Sequence, residues 1–358
     1  MKIIHVVGAR PNFMKMAPVY NAIKKYNIKQ LIVHTGQHYS ENMSDIFFRE
    51  LKIKSADINL RVGSNTQASQ VANIMTKFEN IVLNEKPNLV LVYGDVNSTL
   101  AASLVCAKLG IKTGHIEAGL RSYDLNMPEE INRVVTDKIS SFFFTPSKDG
   151  DTNLIKEGTD KKNIFFVGNV MIDTLINFLN VIKKRKRIDL PFSKFGVVTI
   201  HRPSNVDDPA KLRDIVKSLN KISKKIPLIF PVHPRTKKQL EGIKDLYFNK
   251  DRIRLTEPLG YLDFLNLIYY SSLVITDSGG IQEETTYLKV PCLTLRKNTE
   301  RPITISEGTN TLIGTDYKLL ERLVDEIISG NYKKSKIPNK WDGKASERIA
   351  KTIIKLNL

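Results

Sequence analysis

Short apolar, β-branched runs alternate along almost the whole chain with stretches whose apolar positions recur every three to four residues. An unbroken apolar run bounded by polar turns reads as a strand buried on both faces. Its alternation with amphipathic helices predicts parallel sheets built from βαβ units. In the first half, strands are predicted at Lys2–Val7, Gln30–Thr35, Leu89–Tyr93, Lys112–Glu117, Ser141–Thr145 and Asn163–Val167, with helices at Gln67–Lys86, Thr99–Leu109 and Glu129–Lys138. Gly110 and Gly158 stand where a helix C-terminal glycine belongs.

A polar, strongly basic segment follows from Lys183 to Lys194, and then the alternation restarts. Strands are predicted at Phe195–Ile200, Pro227–Val232, Arg252–Leu255, Leu273–Thr276 and Cys292–Leu295, with helices at Pro209–Lys224, Asp263–Tyr270 and Ile281–Leu288. The expected class is therefore α/β, with two Rossmann-like, doubly wound parallel-sheet domains facing across a cleft. Residues 1–168 form the first, joined by a C-terminal helix at 345–358, and residues 169–344 form the second. A chain of 358 residues has room for two such cores.

Composition narrows the classes of function. The two cysteines, Cys106 and Cys292, both lie in apolar runs and read as buried thiols, not as a disulfide or metal pair. No apolar stretch reaches the ~20 residues a membrane-spanning helix needs, and the first strand begins at Lys2, so a soluble, cytoplasmic protein is expected. The formal charge of +18 fits a polyanion binder or an anionic substrate. Its lysines are scattered, and no basic helical stripe is interleaved with aromatics, so nucleic-acid binding is not expected.

The unusual polar residues fall just beyond the predicted strands, at the end where open α/β sheets bind ligands. They are Gly8-Ala9-Arg10-Pro11 with Lys15, Thr35-Gly36-Gln37-His38, Gly94-Asp95 and His115-Ile116-Glu117 in the first half. In the second they are His201-Arg202, His233-Pro234-Arg235, Asp277-Ser278-Gly279-Gly280 and Arg296. In the run Thr276–Glu284 a strand leads into two glycines and a helix. Amides left uncovered at a helix N-terminus form an anion site suited to a diphosphate, and Glu284 lies one turn further, within reach of ribose hydroxyls. A plain turn capped by Ser278 is the alternative. No G-x-G-x-x-G follows the first strand and no Walker sequence occurs, which disfavours NAD and P-loop chemistry.

Asp95 and Glu117 end neighbouring predicted strands, so their carboxylates can converge for acid–base work on a carbon centre. Glu129 and Glu130 follow Pro128 at a helix start, where they can also simply complement the helix dipole. His5 lies inside a strand and reads as structural. His201 and His233 sit just past strands near arginines, and without cysteine or a His pair at helical spacing they suggest phosphate contact in place of zinc.

Taken in order, these residues resemble the non-hydrolysing UDP-N-acetylglucosamine 2-epimerases, whose architecture is similar to that of GT-B glycosyltransferases. The resemblance rests on GARPNFMKMAP at Gly8–Pro18, TGQH at Thr35–His38, Gly94–Thr99, GHIEAGLRS at Gly114–Ser122, PEEINR at Pro128–Arg133 and VGN at Val167–Asn169. It continues through TIHRPSN at Thr199–Asn205, PVHPR at Pro231–Arg235, DSGGIQEE at Asp277–Glu284, TERP at Thr299–Pro302 and EGT at Glu307–Thr309. It implies a UDP-sugar bound mainly through the second half, with Ser278, Gly279 and Gly280 at the diphosphate, Glu284 at the ribose and Phe264 at the uracil. Arg10, His201, His233 and Arg301 would attend the phosphates or the leaving group. Lys15, Asp95, Glu117 and Glu129 match positions tied to proton transfer.

The resemblance further implies inversion at C2 by elimination of UDP and its re-addition, without cofactor or metal, in a homodimer serving cell-surface polysaccharide synthesis. Related activities it leaves open are a UDP-2,3-diacetamido-glucuronate 2-epimerase, a hydrolysing epimerase and, in another reaction class, a GT-B glycosyltransferase. Among the departures from the family's common pattern, Asn12-Phe13 replaces a Glu-Ala type pair, Pro203-Ser204 replaces Arg-Glu, and Leu259 stands where some relatives carry Gln.

Overall fold

The computed structural model describes residues 1–37, 53–184, 190–243 and 247–358, apart from the side chain of Arg10. His38, and residues 185–189 of the basic segment, lie outside the described residues. The chain divides into two compact units, one made of Met1–Ile176 with Asn339–Leu358 and the other of Asn177–Pro338.

Among the described residues the first unit carries strands β1 (Lys2–Val7), β2 (Lys29–His34), β3 (Ile58–Asn59), β4 (Leu89–Tyr93), β5 (Thr113–Ile116), β6 (Phe142–Thr145) and β7 (Ile164–Phe166). They form one parallel sheet in the order β3-β2-β1-β4-β5-β6-β7. The second unit carries β8 (Gly196–Thr199), β9 (Leu228–Pro231), β10 (Ile253–Thr256), β11 (Leu273–Thr276), β12 (Cys292–Thr294) and β13 (Asn310–Leu312). Their order is β10-β9-β8-β11-β12-β13, again all parallel. Each sheet reverses its winding between its first and fourth strands, which is the switch point where doubly wound folds hold ligands. Both units are thus Rossmann-like, and the α/β class expected from the pattern is the class observed.

Each sheet is sandwiched because its strands have two apolar faces. Val90 and Val92 of β4 pack with Phe78 and Val82 of the helix Gln67–Glu85 and with Val105 of the helix Asn97–Lys108. In the second unit Val198, Phe230 and Ile275 pack with Leu212, Leu219 and Ile222 of the helix Pro209–Lys225. Elements beyond those predicted are the short edge strands β3 and β13 and helices including Lys148–Lys156, Val170–Lys184 and Tyr317–Ile328. The helix Val170–Lys184 takes up the first two residues of the basic segment at Lys183–Lys194.

The C-terminal segment belongs to the first unit for identifiable reasons. The Asp173 carboxylate accepts from the amides of Ala345 (3.1 Å) and Ser346 (2.7 Å), capping the helix Ala345–Lys355. Trp341 is buried and donates its indole N–H to the Pro146 carbonyl at 3.0 Å. Among the described residues no helix is long and apolar enough to cross a membrane.

Candidate active site

At the switch point of the first unit, the chain leaving β1 enters the helix Arg10–Lys24, which carries Lys15 inward. Asn12 stitches this corner together. Its Oδ1 accepts from Gly8 N (3.1 Å) and Ala9 N (3.0 Å), and its Nδ2 donates to the Tyr93 carbonyl at the end of β4 (2.7 Å). This departure from the family pattern therefore joins the two strands that flank the switch point. Arg10 opens the same helix, and its side chain lies outside the described residues.

Lys15 and Glu117 are both buried, and Lys15 Nζ pairs with Glu117 Oε2. Glu117 adopts φ +77°, left-handed backbone that costs a residue with a Cβ about 1–3 kcal/mol and survives only where neighbours enforce it. Gly94, at φ +65°, lies directly against this ion pair. A Cβ there would come within 2.7 Å of Lys15 Nζ and 3.1 Å of Glu117 Oε2, so only glycine leaves room for it.

Asp95 pairs with the buried Arg133, which also donates to Glu130 Oε2 at 2.6 Å. Glu130 additionally accepts from Ser122 N (2.9 Å), Ser122 Oγ (2.8 Å) and Tyr123 N (2.8 Å). The Glu129-Glu130 pair is thereby split: Glu130 is buried and holds the loop after Leu120, whereas Glu129 is partly exposed at the start of the helix Pro128–Ile139. Asp95 and Glu117 do follow adjacent strands, β4 and β5.

Sequence reasoning passed over an amide network behind Asp95. Asn132 donates to the Asp95 carbonyl (2.9 Å) and to Asn97 Oδ1 (3.1 Å), and Asn97 donates to Gln67 Oε1 (2.7 Å) and Gln70 Oε1 (2.8 Å). It also passed over Asp137, which anchors His115, Gly119 and Arg121. Nothing in the amphipathic pattern of its helix marks Asp137, because a buried acid and a solvated one look alike until the fold supplies their partners.

In the second unit β11 runs into the helix Gly279–Leu288, with Ser278 at its N-cap. The Ser278 side chain makes no capping bond, so the simple capped-turn alternative does not describe this end. The free N-terminal amides and the helix dipole favour an anion. Asp277 is fully buried, and its carboxylate accepts from His201 N (3.1 Å), Arg202 N (2.9 Å) and Asn205 Nδ2 (3.0 Å). It thus ties the loop after β8 to the loop after β11.

The rings of His201 and His233 lie 5.4 Å apart. His233 Nδ1 accepts from Arg235 N at 3.2 Å. Its pKa is lowered by partial burial and by the nearby His201 and Arg235. Glu284 is buried and accepts from the Tyr261 hydroxyl at 2.9 Å, which orients the carboxylate. Phe264 and Leu259 pack, half-buried, against the cluster that contains Ile281. Arg301 is held by Glu283 (Nε to Oε1, 2.9 Å) and by Glu300, whose other oxygen takes Arg296 at 2.7 Å. This charge-balanced group lies directly beneath Gly279, whose absent Cβ would sit 2.7 Å from both Arg301 Nη1 and Glu300 Oε1.

The sequence-chosen residues thus gather into two sets, each within one unit: Lys15, Asp95, Glu117 and Glu129 in the first, His201, His233, Phe264, Ser278, Gly279, Gly280, Glu284 and Arg301 in the second.

A family model described as UDP-N-acetylglucosamine 2-epimerase matches residues 21–354. The UDP-N-acetylglucosamine 2-epimerase of Methanococcus maripaludis is 45% identical, with 92% of each chain covered. The UDP-2,3-diacetamido-2,3-dideoxy-D-glucuronate 2-epimerase of Pseudomonas aeruginosa is 38% identical over 99% of this chain and 100% of its own. The crystal structure of the Methanocaldococcus jannaschii UDP-GlcNAc 2-epimerase, in complex with UDP-GlcNAc and UDP, superposes with a TM-score of 0.90 at 42% identity, covering 99% of this chain and 100% of the other. With two doubly wound units, acid–cation pairs at one switch point, an amide-rich helix start at the other and these matches along its length, the chain belongs to the UDP-N-acetylglucosamine 2-epimerase family.

Proposed function

We propose that the protein interconverts UDP-GlcNAc and UDP-ManNAc as a non-hydrolysing 2-epimerase. The observation that carries this reading is the buried Lys15–Glu117 pair, with Glu117 in left-handed backbone against Gly94 and Asp95 just past the end of the adjacent strand β4. A carboxylate so enclosed is suited to moving a proton at carbon, and its ammonium partner keeps the buried charge compensated.

The reaction divides between the two units. In the first, Glu117, Asp95, Glu129 and Lys15 handle the proton at C2. Breaking C2–H leaves its electron pair to form the C1–C2 double bond while the C1–O bond to UDP breaks, giving 2-acetamidoglucal and UDP. Re-addition reverses these bonds, with protonation of C2 on the opposite face. An unactivated C2–H is a poor acid, so stabilising the departing diphosphate carries much of the barrier. In the second unit Ser278, Gly279 and Gly280 offer amides to that diphosphate, with His201, His233 and Arg301 assigned beside them; the family resemblance also assigns Arg10 to phosphate. Glu284 takes the ribose and Phe264 stacks on the uracil.

A neutral sugar fits better than a glucuronate. Arg121 is engaged by Asp137 and Glu157, and Arg133 by Asp95 and Glu130, so both arginines near the carboxylates are already charge-matched. A uronate would add a negative charge beside that group at a steep desolvation cost. We further propose that the enzyme acts in the cytoplasm as a homodimer and supplies cell-surface polysaccharide synthesis, a reading supported by family resemblance.

The test is to incubate the protein with UDP-GlcNAc alone and follow the sugar signals by proton NMR. The expected result is UDP-ManNAc, with the same mixture approached from either nucleotide sugar. Accumulation of free ManNAc and UDP would mark a hydrolase, and turnover only with an added acceptor would mark a glycosyltransferase.

A further inference from the structure

Asp137 lies outside every motif described above, yet its side chain is buried and meets His115, two residues before Glu117. Its Oδ1 lies 2.6 Å from His115 Nδ1, and the opposite ring nitrogen, Nε2, lies 2.8 Å from the Gly94 carbonyl. A carbonyl only accepts, so Nε2 carries the hydrogen and the imidazole fixes the Gly94–Asp95 peptide. Its Oδ2 accepts from Gly119 N (3.1 Å) and from Arg121 Nη1 (2.6 Å). Arg121 is held in turn by both oxygens of Glu157, at 2.8 and 2.7 Å.

These contacts bracket Glu117. Its neighbours two residues before and two and four residues after all end on one carboxylate. Between them Glu117 sits at φ +77° and Gly119 at φ +82°, where a Cβ would collide with the Gly150 carbonyl. Left-handed backbone at a residue with a Cβ needs external enforcement. On the other side, the His115 link reaches the peptide that precedes Asp95. Burial alone would raise the Asp137 carboxyl, but the adjacent His115 and Arg121 outweigh it and hold the group below the usual carboxylate range.

We propose that Asp137 is a positioning residue that sets both catalytic carboxylates through their backbones, Glu117 by way of Gly119 and Arg121 and Asp95 by way of His115 and Gly94. The inference rests on Glu117 and Asp95 being the acid–base groups. It adds that their placement depends on one side chain that touches neither of them nor the sugar. A misplacement of about 1 Å in such groups costs on the order of 100-fold in rate.

The closing experiment compares Asp137→Ala, Asp137→Asn and Glu117→Gln in the full-length enzyme, measuring kcat with UDP-GlcNAc, UDP affinity and the melting transition. Asparagine can satisfy every contact, its amide donating to His115 Nδ1 while its oxygen accepts from Gly119 and Arg121. The expected results are kcat within about tenfold for Asp137→Asn and a loss on the order of 100-fold for Asp137→Ala, with UDP affinity unchanged. Should Asp137→Ala fail to fold, His115→Leu decides, since it fills the site while severing the link to Gly94, and the same loss of kcat with intact UDP binding is expected. A folded Asp137→Ala or His115→Leu with near-normal kcat overturns the proposal, as does a kcat loss matched by an equal loss of UDP affinity. If Glu117→Gln itself turns over normally, the assignment of Glu117 has failed, and that result is separate from the failure of Asp137 as its support.

Discussion

The two units meet the same architectural demand with one device and opposite chemistry. In each, a buried aspartate ties down backbone beyond the strand ends: Asp137 takes His115 of β5 with Gly119 and Arg121 of the loop after it, and Asp277, just past β11, takes the amides of His201 and Arg202 with Asn205 after β8. What those loops present differs. The first unit presents side-chain charges already paired, Lys15 with Glu117 and Arg133 with Asp95. The second presents backbone, the bare helix start at Ser278-Gly279-Gly280, with its arginine charges neutralised beneath by Glu283 and Glu300. Side-chain carboxylates can exchange protons and amide dipoles cannot, so the first arrangement suits proton transfer and the second suits holding a diphosphate through bond cleavage.

The largest expected effect breaks this division on the first unit. Glu117→Gln and Asp95→Asn should each lower kcat on the order of 100-fold or more, the range for lost acid–base catalysis, while calorimetric UDP affinity stays unchanged. Parallel losses in both quantities would show that the two functions are not separable.

A reciprocal, smaller effect is expected from Gly279→Ala. The added methyl would press on Arg301 and Glu300, each 2.7 Å from its position, and disturb the amides above them. UDP affinity should fall about tenfold, equivalent to about 1.4 kcal/mol. The backbone around Glu117, read by hydrogen exchange at Glu117 and Gly119, should not respond.

The units should also differ in their response to acid. Burial lowers the pKa of His5 to about 4, opposed by its bond to Gln30, and burial lowers His34 to about 4. Both lie in the first unit. Once unfolded they bind protons near 6.5, so between about 6.5 and 4 the unfolded state takes up more protons, and stability present above that window is lost as pH falls through it. For His5 the loss is at most roughly 3 kcal/mol. His233, the histidine of the second unit whose pKa is lowered, is far less buried than His5 or His34, so that unit should lose less. Calorimetric melting across this range should show the first unit's transition falling faster, and equal shifts would contradict the burial argument.

Much of this was legible before the fold was known. The apolar runs located β1, β4 and β11 residue for residue, because polar turns bound each run on both sides. Polar clusters after strands marked Lys15, Asp95, Glu117, His201 and Ser278–Gly280, because ligand chemistry in doubly wound sheets is confined to one edge. What stayed hidden depends on contacts remote in sequence. The role of Asp137 exists only once β5 and the helix Pro128–Ile139 are packed side by side. The split between Glu129 and Glu130 depends on which way one helical turn faces. The strands β3 and β13 are too short for periodicity to register.

Running the reaction in D2O and reading C2 of the product by NMR tests whether proton transfer at C2 is coupled to departure of UDP. UDP-ManNAc formed from UDP-GlcNAc should carry deuterium at C2, because the abstracted proton is lost to solvent and the acid–base groups deliver a deuteron to the opposite face. Turnover to UDP-ManNAc with the original hydrogen retained at C2 would contradict it.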